Sequence, residues 1–157
     1  REKSKEQMQV ALSRYPEIGA VWAANDPMAL GVIDALLEAQ MQPGQDVFVG
    51  GLNWDAPALE RVQDGTMVTS VGGHFMTGAW ALVLLHDYHN GQDFASEGTQ
   101  LQYQIFGVLD QSNIDNYLET FGGRDWSQID FTRFAKGLNP ELTAYDFSIE
   151  AIFASLE

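Results

Sequence analysis

Asn25 is the residue whose type and position best suit the binding of a small polar molecule. It follows the apolar run 18–24, and residues with helical spacing begin at Met28. We therefore expect Asn25 at the carboxyl end of a strand, which is where open α/β sheets bind their ligands. An amide offers one acceptor and two donors, which match a sugar hydroxyl better than a charged or apolar group does. The alternative is that Asn25 only shapes the turn, as asparagine commonly does.

Two other segments carry side chains that could hold a metal ion. His86 and His89 are three residues apart on a predicted helix and so share a face. A zinc site needs three or four ligands, and nothing nearby completes the set, so a solvated helix end is the better interpretation. The oxygen-rich segment 110–115 lacks the central glycine and the distal glutamate of a calcium loop, and helix capping explains it better. We expect no metal site and no cofactor.

The sequence contains none of the common catalytic motifs. It has no Gly-x-Ser-x-Gly elbow, no glycine-rich phosphate loop with a lysine and no His-Glu-x-x-His. A pair of carboxylates flanking a sugar would indicate a glycosidase. Among 22 acidic residues such pairs arise by chance, and the order of the chain does not place two of them on one cleft. We therefore predict a binding protein with no catalytic residues.

Composition and charge narrow the class of protein and its partners. The 157 residues are 45% hydrophobic and 19% charged, which is typical of a globular protein. With 22 acidic and 8 basic residues the net charge is −14, which argues against nucleic acid and anionic membranes as partners. The absence of cysteine excludes disulfides and thiol nucleophiles. The chain opens on Arg1 with neither an initiator methionine nor a signal peptide, so we expect an interior fragment.

Strands and helices alternate in the order βαβαβ after a first helix over 2–14. The predicted segments are strand 18–24, a helix from the Asn-Asp turn to about 40, strand 47–52, helix 57–63 and strand 67–71. Asp26 is predicted to cap the first helix of this series, since Pro27 suits the position directly after a cap. The first two strands are nearly continuous in apolar residues, as strands covered on both faces are. The economical fold is α/β, a parallel sheet with helices on both faces, with a helical carboxyl-terminal extension.

Four motifs together support a family resemblance. They are the run from Pro16 through Asn25-Asp26-Pro27-Met28-Ala29-Leu30-Gly31, the segment 46–54, Asp64-Gly65-Thr66 and Gly78. In combination they resemble the carboxyl-terminal half of the type I periplasmic binding proteins, in particular the ribose and sugar-binding branch of ABC transporter receptors. The resemblance covers about residues 5–108. It implies two α/β lobes that are joined by a three-stranded hinge and enclose a ligand in the cleft between them.

The same resemblance implies ligand contacts at four residues. Asn25 matches the family's sugar-binding asparagine, and Asn53 stands where many members have an aspartate that binds sugar hydroxyls. Asparagine removes a charged acceptor and adds donors there, which would change the preferred hydroxyls. Trp54 could stack on the apolar face of a pyranose or simply pack over the loop. His74 lies after Gly73 at the hinge, where the family often has a glutamine, so it is either a ligand contact or a structural residue.

The resemblance also divides the chain. Residues 1–74 form the carboxyl-terminal lobe, 75–100 are a helix and hinge-crossing segment, 101–110 are a returning strand, and 111–157 are an aromatic-rich extension. The helix over 75–90 is apolar on nearly every face and would pack on an amino-terminal lobe that this sequence lacks. We expect it to repack, to pair with a second copy of the chain or to rest on the missing lobe, because it would otherwise expose a large apolar patch.

The extension carries many aromatic residues, which are uncommon in a free linker, so we expect it to pack back on a lobe. One helix is predicted at 114–121. A second is predicted over 126–134, where Ser127 and Asp130 form a reciprocal cap if the helix starts there.

For function, the resemblance implies the periplasmic solute-binding receptor of an ABC-type sugar transport system. Such a receptor closes around a neutral sugar or polyol and delivers it to a membrane permease. Amides and a tryptophan favour a neutral ligand, because an amino acid would require an arginine or a helix amino terminus for its carboxylate. The alternatives are the effector-binding core of a LacI-type transcription repressor and a small-molecule sensory domain.

Overall fold

The computed structural model describes residues 1–94, 103–123 and 125–156. The helices of these residues are α1 (Glu2–Arg14), α2 (Asp26–Glu38), α3 (Ala56–Gln63), α4 (Thr77–His89), α5 (Ile114–Phe121) and α6 (Ile149–Leu156). The strands are β1 (Ala20–Trp22), β2 (Phe48–Leu52), β3 (Thr69–Gly72) and β4 (Gly107–Leu109), and short 3₁₀ helices span His74–Met76, Trp126–Gln128 and Phe131–Phe134. Residues 95–102, which belong to the predicted segments 75–100 and 101–110, lie outside the described residues.

The four strands form one sheet in the order β1-β2-β3-β4. β2 pairs in parallel with both β1 and β3, with Val21 opposite Val49 and Gly51 opposite Ser70. The predicted α/β fold with a parallel sheet is confirmed. Because β1, β2 and β3 run in the same direction, the residues that follow them lie along one edge of the sheet.

The helix α2 packs against β2 and is largely buried. Apolar residues recur along it at three- and four-residue spacing, so one broad face is buried. Its buried residues are Asp26, Ala29, Leu30, Gly31, Val32, Ile33, Ala35 and Leu36. The expectation that the first two strands are covered on both faces is wrong at two residues, because Trp22 is 59% exposed and Phe48 is 52% exposed. The strand register places these two exposed side chains on the same face of the sheet.

Helices α1 and α2 approach each other closely at Gly31. A Cβ atom at this position would collide with the backbone oxygen of Arg1 and the hydroxyl of Ser4. The Ser4 hydroxyl also donates to the backbone oxygen of Met28 at 2.9 Å. A salt bridge between Arg1 and Asp34 at 2.7 Å lies on the surface, where ion pairs contribute little stability. The absence of a side chain at Gly31 therefore allows the start of α1 to lie directly against α2.

The chain separates into two compact units. The first unit contains residues 1–72 and 108–123, and the second contains 73–107 and 124–157. The segment 111–157, predicted as a single extension, therefore contributes to both. In the first unit, the α5 residue Asp115 accepts a hydrogen bond from the Gln63 side chain of α3 at 2.7 Å.

In the second unit, α4 packs against an aromatic cluster that the carboxyl-terminal segment provides. The Trp80 ring of α4 stacks on Phe147, with ring centroids 4.8 Å apart and an interplanar angle of 10°. The rings of Phe131 and Phe134 contact the same indole at 5.5 and 5.2 Å. These contacts bury one face of α4, while Leu82 and Leu85 on the helix stay exposed.

The predicted helix over 114–121 is confirmed as α5, but the predicted helix over 126–134 is wrong. Two short 3₁₀ helices occupy that stretch. The carboxylate of Asp125 accepts the N–H and hydroxyl of Ser127, and the carboxylate of Asp130 does the same for Thr132. Each aspartate thus starts its own turn, and these local hydrogen bonds compete with a continuous helix.

Candidate functional site

Asn25 lies where β1 ends and α2 begins. Its side-chain oxygen accepts the N–H of Met28 at 3.0 Å, so Asn25 is the N-cap of α2. The prediction that Asp26 caps this helix is wrong, because Asp26 is already the first helical residue. The cap uses the amide oxygen, and the NH₂ group of the half-buried Asn25 is the part of this side chain that can donate to a ligand.

Asp26 is a fully buried carboxylate that links the segment after β1 to the loop after β2 and to β3. One oxygen accepts the backbone N–H of Asp55, which follows β2, at 2.9 Å. The hydroxyl of Ser70, in β3, lies 2.8 and 2.9 Å from the two carboxylate oxygens and donates to this group. Both Asp26 and Ser70 are 0% exposed. The carboxylate therefore connects the start of α2 to the loop after β2 and to β3.

Burial raises the pKa of Asp26 above its ordinary value. The hydrogen bonds from the Asp55 N–H and the Ser70 hydroxyl favour the charged form but do not fully offset the desolvation. A buried carboxylate of this kind depends strongly on its donors, since losing one leaves part of its charge without compensation.

The space for this carboxylate comes from a glycine on the neighbouring strand. A Cβ atom at Gly51 would lie 2.5 Å from Oδ1 of Asp26 and 2.7 Å from the terminal methyl of Met67. Any larger residue at this position of β2 would therefore displace Asp26 or its contacts.

The loop that follows β2 has an unusual backbone. Asn53 and Trp54 have φ angles of 129° and 63°, in a region that side chains other than glycine rarely adopt. The N–H of Asn53 still donates to Val71 at 2.8 Å and so extends the pairing of β2 with β3. The Asn53 side chain, which is half-buried, emerges directly after this last backbone contact.

Trp54 anchors this loop in the core of the first unit. Its side chain is 5% exposed, and its indole N–H donates to the backbone oxygen of Ser70 at 2.9 Å. Its backbone N–H lies 3.3 Å from the Ser70 hydroxyl oxygen, which accepts it. The indole also packs edge to face on Tyr117 at 5.0 Å and lies directly over Gly72.

The structure thus brings three of the four predicted site residues to one edge of the sheet. Asn25 follows β1, while Asn53 and Trp54 follow β2, and the Asp26 hydrogen bond to Asp55 holds the two loops together. Sequence reasoning missed Asp26 and Ser70 as members of this arrangement. The small residues Gly51 and Ser70 on neighbouring predicted strands were the available signal, since they leave room for a buried polar group.

His74 belongs to the second unit and begins the 3₁₀ helix after Gly73, whose φ is 97°. Its ring packs against Phe106 with centroids 5.3 Å apart. Its Nδ1 atom is buried and has no hydrogen-bond partner among the described residues.

Within 1–94, 103–123 and 125–156, no three or more histidine, aspartate or glutamate side chains form a cluster that could hold a metal ion. His86 lies 3.5 Å from the carboxylate of Asp87. In the same ranges no helix has the length and apolar character needed to cross a membrane.

Three solved structures with the same fold are named for sugar binding or ABC transport. A periplasmic sugar-binding protein from Pseudomonas fluorescens is 34% identical, with a TM-score of 0.85. The match covers 98% of this chain and 47% of the P. fluorescens protein. A periplasmic ribose ABC transporter from Conexibacter woesei is 25% identical, with a TM-score of 0.63 over 74% of this chain and 38% of its own. An ABC transporter periplasmic solute binding protein from Actinobacillus succinogenes with bound D-allose is 26% identical, with a TM-score of 0.61. The match covers 74% of this chain and 39% of the A. succinogenes protein. The chain therefore spans less than half the length of each of these proteins.

No curated protein matches the sequence. The family model described as the periplasmic binding protein domain matches residues 1–93, which is more than half of the chain. This chain is a member of the periplasmic binding protein family.

Proposed function

We propose that this chain is part of the solute-binding receptor of an ABC-type sugar transport system and binds a neutral sugar or polyol. The observation that carries the proposal is the 34% identity to a periplasmic sugar-binding protein over 98% of this chain. The ribose and D-allose proteins support the same ligand class at 25% and 26% identity.

The chemistry of the sheet edge agrees with a neutral ligand. Asn25 and Asn53 offer amides, and the nearby carboxylate of Asp26 is buried and already bonded to the protein. Amides both donate to and accept from hydroxyl groups, whereas a charged ligand would require a charged partner.

The four candidate residues have different proposed roles. Asn25 and Asn53 contact the ligand directly. Trp54 acts mainly by fixing the position of Asn53, since little of its ring is exposed. His74 is proposed as a separate contact, because a ligand hydroxyl would satisfy its buried Nδ1 atom.

The proposed location is the periplasm, and the proposed partner is a membrane permease that receives the sugar. The protein acts without catalysis, by closing two lobes around the ligand. An amino-terminal lobe, or a second copy of this chain, supplies the opposite wall of the cleft and covers the exposed residues Leu82 and Leu85 of α4.

A thermal-shift screen of the full-length protein tests the proposal, because a ligand that binds only the folded form raises the unfolding midpoint. The panel contains D-ribose, D-allose, L-arabinose, D-galactose, myo-inositol and several amino acids. We expect at least one sugar or polyol to raise the midpoint, and isothermal titration to give its affinity. A shift with an amino acid and none with any sugar or polyol would refute the proposed ligand class.

Variants then locate the site. Asn53→Ala is expected to weaken sugar binding, whereas Asn116→Ala, an exposed asparagine in α5 of the same unit, is expected to leave it unchanged. His74→Ala tests its contact separately. Equal affinities for Asn53→Ala and Asn116→Ala would remove the sheet edge from the site.

A further inference from the structure

We infer that Asp26 is a positioning residue for sugar binding, which acts by holding the 53–55 loop so that Asn53 faces the ligand. The inference rests on the proposed function, since it concerns the same site. Asp26 does not touch the ligand itself, because its side chain is 0% exposed and its oxygens are bonded to the protein.

The contacts of Asp26 reach the loop in two ways. The carboxylate accepts the Asp55 N–H directly at 2.9 Å. It also accepts the hydroxyl proton of Ser70, and the Ser70 oxygen in turn lies 3.3 Å from the Trp54 N–H that it accepts. Two successive backbone N–H groups of the loop are therefore fixed by one buried carboxylate and its serine partner.

The backbone of the loop explains why such fixing is needed. Asn53 and Trp54 both have φ angles in the left-handed region, at 129° and 63°. Residues other than glycine keep such angles only where surrounding contacts hold them there, and such residues cluster at ligand sites. Without the hydrogen bonds to Asp26 and Ser70, the loop would relax to a more common conformation and Asn53 would turn away from its present direction.

Asp26 also links this loop to the other candidate contact. It directly follows Asn25, the N-cap of α2, so movement of its carboxylate would disturb both amides. One buried group thus sets the spacing of the donors and acceptors that the ligand meets. This placement explains why a charged residue is kept at a buried position, where desolvation opposes it.

Adjacent residues of β3 provide a matched pair of variants. Ser70→Ala removes the hydroxyl that bonds to Asp26. Thr69→Val removes a hydroxyl that donates to the backbone oxygen of Leu109 at 2.9 Å and has no part in the loop. Each variant deletes one hydroxyl of the same strand, but Ser70→Ala is expected to cost more global stability, because it leaves the buried Asp26 carboxylate without one of its donors.

Two readouts are measured on the full-length protein. The first is amide hydrogen exchange of peptides that cover residues 53–55, which needs no ligand. The second is the affinity, by isothermal titration, for the panel sugar that raises the midpoint most. We expect Ser70→Ala to speed exchange in the loop and to weaken that affinity about tenfold or more, and Thr69→Val to match the wild type in both.

Variants of Asp26 separate positioning from simple folding. Asp26→Asn keeps an oxygen that can accept the Asp55 N–H and an NH₂ group that can donate to Ser70, so it should retain most of the affinity. Asp26→Ala removes the hydrogen bonds to both Asp55 and Ser70 and should lose most of the sugar affinity. Positioning is supported if Asp26→Asn binds the sugar more tightly than Asp26→Ala although its unfolding midpoint is no higher. Equal losses of sugar affinity in the two variants would contradict positioning.

The outcomes distinguish this inference from the proposed function. If Ser70→Ala and Thr69→Val show the same loop exchange and the same affinity, Asp26 does not position the loop. If no panel sugar binds the wild type, the proposed function fails. In that case, hydrogen exchange in the loop that is faster in Ser70→Ala but not in Thr69→Val would still show that Asp26 holds the loop. Unchanged loop exchange in Ser70→Ala would overturn this inference too.

Discussion

The carboxylate of Asp87 accepts a hydrogen bond from the hydroxyl of Tyr145 at 2.9 Å, although the two residues are 58 positions apart in the chain. The same carboxylate, which is fully buried, accepts the backbone N–H groups of Lys136 at 2.6 Å and Gly137 at 2.9 Å. A single side chain of α4 therefore bonds to two separate parts of the carboxyl-terminal segment. In the second unit, the hydrogen bonds of Asp87 and the aromatic contacts of Trp80 both attach α4 to the carboxyl-terminal segment.

We expect Tyr145→Phe to reduce the stability of the second unit. The change removes one hydrogen bond to a charged acceptor, which lowers the free energy of unfolding by roughly 1.5–3 kcal/mol. Urea unfolding followed by hydrogen exchange in α4 measures the effect. Tyr15→Phe is the control, because this tyrosine is 57% exposed and its change should stay within about 0.5 kcal/mol. Equal effects of the two substitutions would show that the bond to Asp87 contributes nothing.

Acid should loosen the same contact. Burial raises the pKa of Asp87, but the donors Gly137, Tyr145, Lys136 and His86 outweigh it, so the pKa lies below its ordinary value. The stabilisation is therefore fully present above the ordinary aspartate pKa of about 3.9 and is lost as the pH falls through the lowered value.

The measurement is the difference in unfolding free energy between the wild type and Asp87→Asn as a function of pH. The difference should be constant near neutral pH and shrink below about pH 4, where the Asp87 carboxylate becomes protonated in the unfolded protein and, at lower pH, in the folded protein. Other aspartates titrate in the same range, and subtracting the variant removes their contribution. A difference that stays constant down to pH 2 would contradict the assignment.

Gly51→Ala is expected to destabilise the first unit. The new methyl group would lie 2.5 Å from Oδ1 of Asp26, and overpacking of a filled core costs about 1–3 kcal/mol. Gly19→Ala is the matched control, since a Cβ there meets nothing within 4 Å. Chemical denaturation of both variants tests the pair. Similar midpoints would mean that the space around Asp26 is not as tight as the structure shows.

Asn25→Ser should separate the two roles of Asn25. Serine is as good an N-cap as asparagine, so the unfolding midpoint should stay close to that of the wild type. The amide NH₂ group is lost, and affinity for the bound sugar should fall about tenfold, as for one lost hydrogen bond. Asn25→Ala should lose the same affinity and also about 1 kcal/mol of stability. Unchanged sugar affinity in Asn25→Ser would show that Asn25 caps α2 but does not contact the ligand.

Local patterns were enough to predict the main elements. The apolar runs before Asn25 and Asn53, and the spacing of apolar residues between them, predicted β1, α2 and β2, which the structure confirms. Parallel pairing followed from strands joined by helices, because such connections return the chain to the same end of the sheet. These features depend on neighbours within a few residues, which a sequence displays directly.

The sequence-based predictions are wrong where the same residues can form two different local structures. Asn25 and Asp26 can both cap a helix, and the structure uses Asn25 because the Asp26 carboxylate bonds to Asp55 and Ser70 instead. In the segment 126–134 the apolar spacing predicted one helix, but Asp125 and Asp130 each form a turn with the residue two positions later. Short side-chain hydrogen bonds within each turn therefore replace a continuous helix over 126–134.

The sequence by itself determined the alternation of strands and helices, the parallel sheet and the position of an amide at its carboxyl edge, because each of these follows from local spacing and chain order. Only the tertiary structure decided that Asp26 is buried between β2 and β3, that Trp54 packs on Tyr117, and that Asp87 bonds to Tyr145. The partners in these contacts are 44, 63 and 58 residues apart. Which distant donor satisfies a buried carboxylate depends on how the elements pack, and no local pattern of residue types carries that information.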